Sequence, residues 1–118
     1  LSLHDNMLSE IPASIGRMKG LVKLYLDNND LTAIPGSIGN LENLEILMVS
    51  GNSLGSVPSE LGNLKKLREL VLDANQLDSL PESLTQCDPL ETVSIGENPM
   101  EDGVPRQLLD KKGLKIDQ

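Results

Sequence analysis

The stretch that decides the fold is LYLDNNDLTAIPGSIGNLENLEI, residues 24–46. It opens with Leu24 and Leu26 separated by Tyr25. This alternation of period 2 sends the two leucines to one face and Tyr25 to the other, as in a short strand. Asn29 and Leu31 follow, and then Ile34-Pro35. Proline lacks an N–H and fixes φ, so a regular strand cannot run through Pro35. Beyond it, Ile38 and Leu41 supply two more inward apolar residues on a short helical or irregular segment, and Leu47 begins the pattern again.

The same pattern recurs along the chain. Asparagines fall at Asn6, Asn29, Asn52, Asn75 and Asn98, each 23 residues after the last. Prolines keep the same step at Pro12, Pro35, Pro58 and Pro81. So do the strand pairs Leu24/Leu26, Leu47/Val49, Leu70/Leu72 and Val93/Ile95. Leu8, Leu31, Leu54 and Leu77 form a further column, with Met100 in the fifth place. Several columns in one register mark a repeat architecture. The unit L-x-L-x-x-N-x-L-x-x-I-P-x-x-I-G-x-L-x-x-L-x-x resembles the leucine-rich repeat family in its 23-residue form, over essentially the whole chain.

That resemblance implies an α/β solenoid, a segment of a right-handed horseshoe. A parallel β-sheet lines its concave face and short helical or irregular segments its convex face. Residues 1–118 then form a single domain, with about five repeats over 1–100 and a C-terminal half-repeat or cap over 101–118. The physics of the pattern agrees. Parallel strands need a long crossover, which the rest of each repeat supplies. Each asparagine sits where the chain leaves the strand, and its amide can satisfy backbone groups that the turn would leave buried and unpaired. Asn6, Asn29, Asn52, Asn75 and Asn98 therefore read as a hydrogen-bonded ladder. Gly16, Gly39 and Gly62 recur in one column, which is consistent with a tight bend or close packing between layers; Thr85 takes that place in the fourth repeat.

The ends depart from the pattern. From Val93/Ile95 to Leu114/Ile116 the step reads as 21 residues. Pro105 to Lys112 reads as a terminal helix with Val104, Leu108 and Leu109 against the core and a stop at Gly113. At the other end, Leu1 and Leu3 lack a cap. The chain opens on Leu1, inside a repeat and without an initiator methionine, so we expect a piece of a longer protein.

Composition narrows the functional classes. The chain has one tyrosine and no phenylalanine or tryptophan, so leucine, isoleucine and valine must do nearly all the burying. Ten Lys and Arg against 18 Asp and Glu give a formal charge of −8. An acidic domain repels phosphate backbones and anionic membranes, which argues against nucleic-acid and membrane partners. Cys87 is the only cysteine, so no intrachain disulfide can form, and no Asn-x-Ser/Thr sequon occurs. Both facts favour a reducing, cytoplasmic setting. No apolar run reaches the roughly 18 residues of a membrane span.

The spacing also lists the concave face. Lys23, Ile46, Glu69 and Thr92 precede the first strand leucine. Ser2, Tyr25, Met48, Val71 and Ser94 lie between the pair. His4, Asp27, Ser50, Asp73 and Gly96 come next, followed by Asp5, Asn28, Gly51, Ala74 and Glu97. Tyr25, Met48 and Val71, with Ile46 beside them, predict an apolar ridge on an otherwise polar surface, which is the signature of a protein-binding patch. Asp5, Asp27, Asp73 and Glu97, with Glu69 nearby, form an acidic flank suited to a partner bearing Lys or Arg. We take Lys23, Tyr25, Asp27, Ile46, Met48, Glu69, Val71 and Asp73 as candidate partner-binding residues.

Two basic clusters, Arg17/Lys19/Lys23 and Lys65/Lys66/Arg68, fall at the return from the convex side. Catalysis finds little support. His4 is the sole histidine, and Ser2, His4 and Asp27 would sit on an open sheet without a pocket. Cys87 shares a column with Met18, Leu41 and Leu64 and reads as a buried small hydrophobe. No phosphate loop, metal set or cofactor motif occurs.

The form of the repeat resembles that of the cytoplasmic group containing Ras-pathway scaffolds, plant intracellular Ras-group repeat proteins and cell-polarity scaffolds. This resemblance implies a non-catalytic module that binds protein through its concave face in signalling or scaffolding. Two alternatives stay open. One is the substrate-recognition or regulatory segment of a larger enzyme, such as a kinase, GTPase, phosphatase or ubiquitin ligase. The other is a fragment of a receptor ectodomain, echoed by Leu54-Gly55-Ser56-Val57-Pro58.

Overall fold

The computed structural model describes residues 1–118. Its strands are β1 (Lys23–Tyr25), β2 (Ile46–Met48), β3 (Glu69–Val71), β4 (Thr92–Ser94) and β5 (Lys115–Asp117). They form one parallel sheet in chain order, as successive coils of a solenoid must. Leu24 stands opposite Leu47, Leu47 opposite Leu70, and Leu70 opposite Val93. All four are fully buried, so the L-x-L alternation points inward as expected. The first repeat joins through a single bridge, Ser2 to Tyr25.

The prolines start the convex segments. Pro12, Pro35, Pro58 and Pro81 have φ between −68° and −70°, and each precedes a five-residue 3-10 helix. A missing N–H costs nothing at a helix start, and the proline carbonyl accepts the first helical bond, as Pro35 does from Ile38. The third residue of each turn points inward: Ile15, Ile38, Leu61 and Leu84 are buried. One continuous apolar cluster runs from Ile11 to Leu108, built from Leu, Ile and Val with Cys87. The coils thus share a core that none could form alone.

The glycine column reflects close packing between layers. A Cβ on Gly16 would lie 2.6 Å from the Ser37 carbonyl oxygen, and one on Gly39 would lie 2.6 Å from that of Glu60. In the fourth repeat the next coil carries an inserted residue, and Thr85 occupies the column there.

The closing coil corrects two expectations. β5 sets Ile116, not Leu114, opposite Val93, so the 23-residue step persists. The L-x-I motif at Leu114–Ile116 misled the register by two residues. Pro105 follows Pro81 by 24 residues, one too many, and Leu108 reaches Ile116 in eight residues where Leu84 reaches Val93 in nine. An insertion and a deletion cancel. The terminal helix is also shorter than read: α1 spans only Arg106–Leu109. Leu108 is fully buried and Val104 partly so, but Leu109 is 54% exposed. Each helical residue rotates about 100°, so a single turn cannot aim both leucines at the core.

Candidate inner-wall binding site

The sheet places three rows of side chains on its open face. The central row runs Ser2, Tyr25, Met48, Val71, Ser94 and Asp117. Its neighbour on the strand-entry side runs Lys23, Ile46, Glu69, Thr92 and Lys115. Tyr25, Met48, Val71 and Ile46 are all partly exposed and mutually adjacent. Two strand spacings make the apolar row about 10 Å long. Lys115 and Asp117 also belong to this wall. Sequence reasoning missed them because the misread register of the last coil hid their rows.

On the strand-exit side, Asp27 and Asp73 do more than charge a surface. Asp27 Oδ1 accepts the backbone N–H of Ser50 at 2.8 Å. Asp73 Oδ1 accepts the Gly96 N–H at 2.6 Å and the Ser94 hydroxyl at 2.8 Å. Each carboxylate therefore ties its coil to the next and is held in a fixed orientation, while its residue stays partly exposed. The spacing needed to see this was present, since both bonds span 23 residues. Asp5 accepts from the Asn28 side-chain amide at 2.9 Å. Glu69 is partly buried and Glu97 is exposed.

The next column has a different role from the one read in sequence. Asp5, Asn28, Gly51, Ala74 and Glu97 all have φ between 55° and 69°. They form the left-handed turn that aims each asparagine inward. Gly51 and Asn28 suit that conformation, whereas Ala74 and Glu97 adopt it under strain.

Behind the turn lies the asparagine ladder. Asn52 Oδ1 accepts the Leu31 N–H at 3.0 Å, and its Nδ2 donates to the carbonyls of Leu26, Val49 and Ser50 at 3.0–3.2 Å. Asn29, Asn75 and Asn98 repeat the arrangement one coil apart. Asn6 is exposed and reaches only the carbonyls of Leu3 and His4.

The basic clusters are dispersed by contacts between coils. Arg68 lies 3.6 Å from Glu45 and 3.4 Å from Glu91, one coil to each side, and the hydrogen bond it donates to the Glu91 carboxylate helps hold its charge. Lys66 donates to the Asn43 side chain at 2.8 Å, and Lys19 to the Asn40 carbonyl at 3.0 Å. The Ser2 hydroxyl sits 2.6 Å from His4 Nδ1, and His4 Nε2 lies 3.9 Å from Asp5 rather than beside Asp27. The His4 side chain is 52% exposed, with nothing to exclude water around it. Cys87 is buried, and burial pushes its thiol pKa up, away from a nucleophile. The apolar hollow lined by Leu1, Leu3, Leu8, Ile11 and Met18 lies at the N-terminal end of the stack, not on the wall. No helix is long and apolar enough to cross a membrane.

Coil length, inner sheet, asparagine ladder and convex prolines agree with a family model described as a leucine-rich repeat region, which matches residues 1–113. The chain belongs to the leucine-rich repeat family. Its leucine-rich repeat fold is similar to that of a Leptospira interrogans leucine-rich repeat protein, at 32% identity and a TM-score of 0.90 over 100% of this chain and 30% of that one. The plant peptide hormone receptor RGFR1, solved in complex with RGF2, is 27% identical with a TM-score of 0.84, over 98% of this chain and 19% of the receptor. A chain of the BIR3–SERK2 complex from Arabidopsis thaliana is 38% identical with a TM-score of 0.74, over 83% of this chain and 55% of that one. This leucine-rich repeat chain thus spans less than two thirds of each of these structures. No curated protein sequence matches it.

Proposed function

We propose that this leucine-rich repeat chain is a non-catalytic module that binds a protein partner through its inner wall. The observation that carries the reading is the open, register-aligned row of Tyr25, Met48 and Val71, with Ile46 beside it. A contiguous apolar patch rimmed by polar groups loses water favourably when a partner covers it. Two similar structures are of complexes, one with a peptide hormone and one between BIR3 and SERK2, which supports a protein or peptide ligand. We further propose signalling or scaffolding in a cytoplasmic setting, for which the single, free, buried Cys87 is the support.

The test is quantitative affinity purification with the wild-type protein, a Tyr25→Ala/Met48→Ala variant and a convex control, Asn63→Ala. Partners lost with the first variant and kept by the control support the reading. Partners retained by both variants contradict it.

A second reading, a segment of a receptor ectodomain, is favoured by the likeness to the hormone receptor. Imaging of the tagged full-length protein separates the two, since the ectodomain reading requires it at or beyond the cell surface.

A further inference from the structure

The solenoid segregates its charge by edge. All ten Lys and Arg lie between a convex proline and the end of the following strand. The five segments from strand exit to the next proline carry none. Those segments hold two, two, none, two and three carboxylates in chain order, half of the 18 in the molecule. The remaining carboxylates are mostly interleaved with the bases, as Glu45 and Glu91 are with Arg68. One long edge is therefore strongly anionic and the other is nearly balanced.

The apolar row lies beside the anionic edge. Asp27 and Asp73 stand two residues beyond Tyr25 and Val71, about 7 Å along the strand direction. That distance is within the screening length of physiological salt, so their field reaches whatever covers the row. The two carboxylates sit two coils apart, about 10 Å by strand spacing. Both are oriented by hydrogen bonds from the next coil. The row on the opposite flank offers Lys23, Glu69 and Lys115, which carry no strong excess of either sign.

Resting on the inner-wall reading above, we propose that the occupant of this wall is a cationic, extended peptide segment. An apolar side chain covers Tyr25, Met48 and Val71, and two Lys or Arg side chains about 10 Å apart lie over Asp27 and Asp73. The polarity of the face fixes the side on which these cations lie. An anionic segment would meet like charge at Asp27 and Asp73 on the strand-exit edge.

The test is selection of a displayed random-peptide library on the folded domain, followed by affinity measurement with one selected synthetic peptide. The expected result is enrichment of sequences that combine an apolar residue with Lys or Arg. Binding should fall about tenfold with Asp27→Asn/Asp73→Asn, the scale of one or two charge contacts, and weaken with added salt. Asparagine keeps a side-chain oxygen for the Ser50 and Gly96 N–H groups, so this variant should fold; its thermal midpoint is measured alongside. Selected peptides without cationic bias that still require Tyr25 and Met48 would overturn this inference and leave the inner-wall reading standing. Cationic peptides indifferent to Tyr25→Ala/Met48→Ala would overturn both. A library that yields nothing above background would overturn the cationic occupant.

Discussion

The Asn52 side-chain oxygen accepts the backbone N–H of Leu31, 21 residues earlier, at 3.0 Å, and both residues are buried. One amide thereby joins two coils at a point where water cannot substitute. Asn52→Leu removes this acceptor and three donated bonds, stranding backbone groups of two coils. The expected loss is about 3 kcal/mol, read by urea unfolding, since each stranded buried group costs on the order of 1–3 kcal/mol. Asn6→Ala, at the exposed end of the ladder, should stay within about 0.5 kcal/mol of wild type.

Ala74 holds φ at +55° in the column where Gly51 holds +69°. An L-residue with a Cβ pays roughly 1 kcal/mol for that region, part of which glycine relieves. Ala74→Gly should raise stability by about 0.5 kcal/mol. Gly51→Ala should lower it by more than the conformational cost alone, because the new Cβ would run into the Asn28 side-chain oxygen. Thermal midpoints of the two variants should move in opposite directions.

Leu108 and Leu109 are neighbours in sequence and opposites in packing. Leu108→Ala should cost about 2–4 kcal/mol, the usual price of a cavity beneath a buried leucine. Leu109→Ala should change stability by less than about 0.5 kcal/mol. Equal losses at the two sites would mean that α1 is longer or differently rotated than found here.

Burial raises the Cys87 thiol above its ordinary value of 9.0, with Lys65 and Lys111 only partly offsetting the effect. The raised value favours the neutral thiol in the folded state, so this contribution to stability is present below the unfolded pKa and is lost as pH rises through the folded one. Native protein at pH 8 should react with a thiol reagent only as fast as it opens, and the denatured protein should react at once. Above pH 9 the urea midpoint of wild type should fall more steeply than that of Cys87→Ser.

The fold was legible because its columns are chemically exclusive. At Asn29, Asn52 and Asn75 an amide combines two N–H donors with a separate acceptor oxygen, and at Leu24, Leu47 and Leu70 an apolar residue fills the interior, so the recurring spacing marks the coil. The apolar row of the candidate site followed directly, since Tyr25, Met48 and Val71 must face away from those leucines. Other features left ambiguous marks. Leu114 and Ile116 imitate a strand pair, and only the pairing of β5 with β4 shows which of them stands opposite Val93. Asp27 and Asp73 look like solvated acids until the backbone N–H groups of Ser50 and Gly96 are placed beside them. The partners of Arg68 were readable in principle, because Glu45 and Glu91 each lie 23 residues away. Lys65 and Lys66 beside Arg68 give the sequence the look of one basic patch, whereas the acidic partners of Arg68 lie on the neighbouring coils.

The most direct test of the account is site-specific photo-crosslinking in the intact protein, with a photoreactive residue at Met48 on the inner wall or at Asn63 on the convex turn. The account predicts discrete crosslinked partner species from position 48 and none from position 63. Crosslinks arising equally from both positions, or only from position 63, would contradict it.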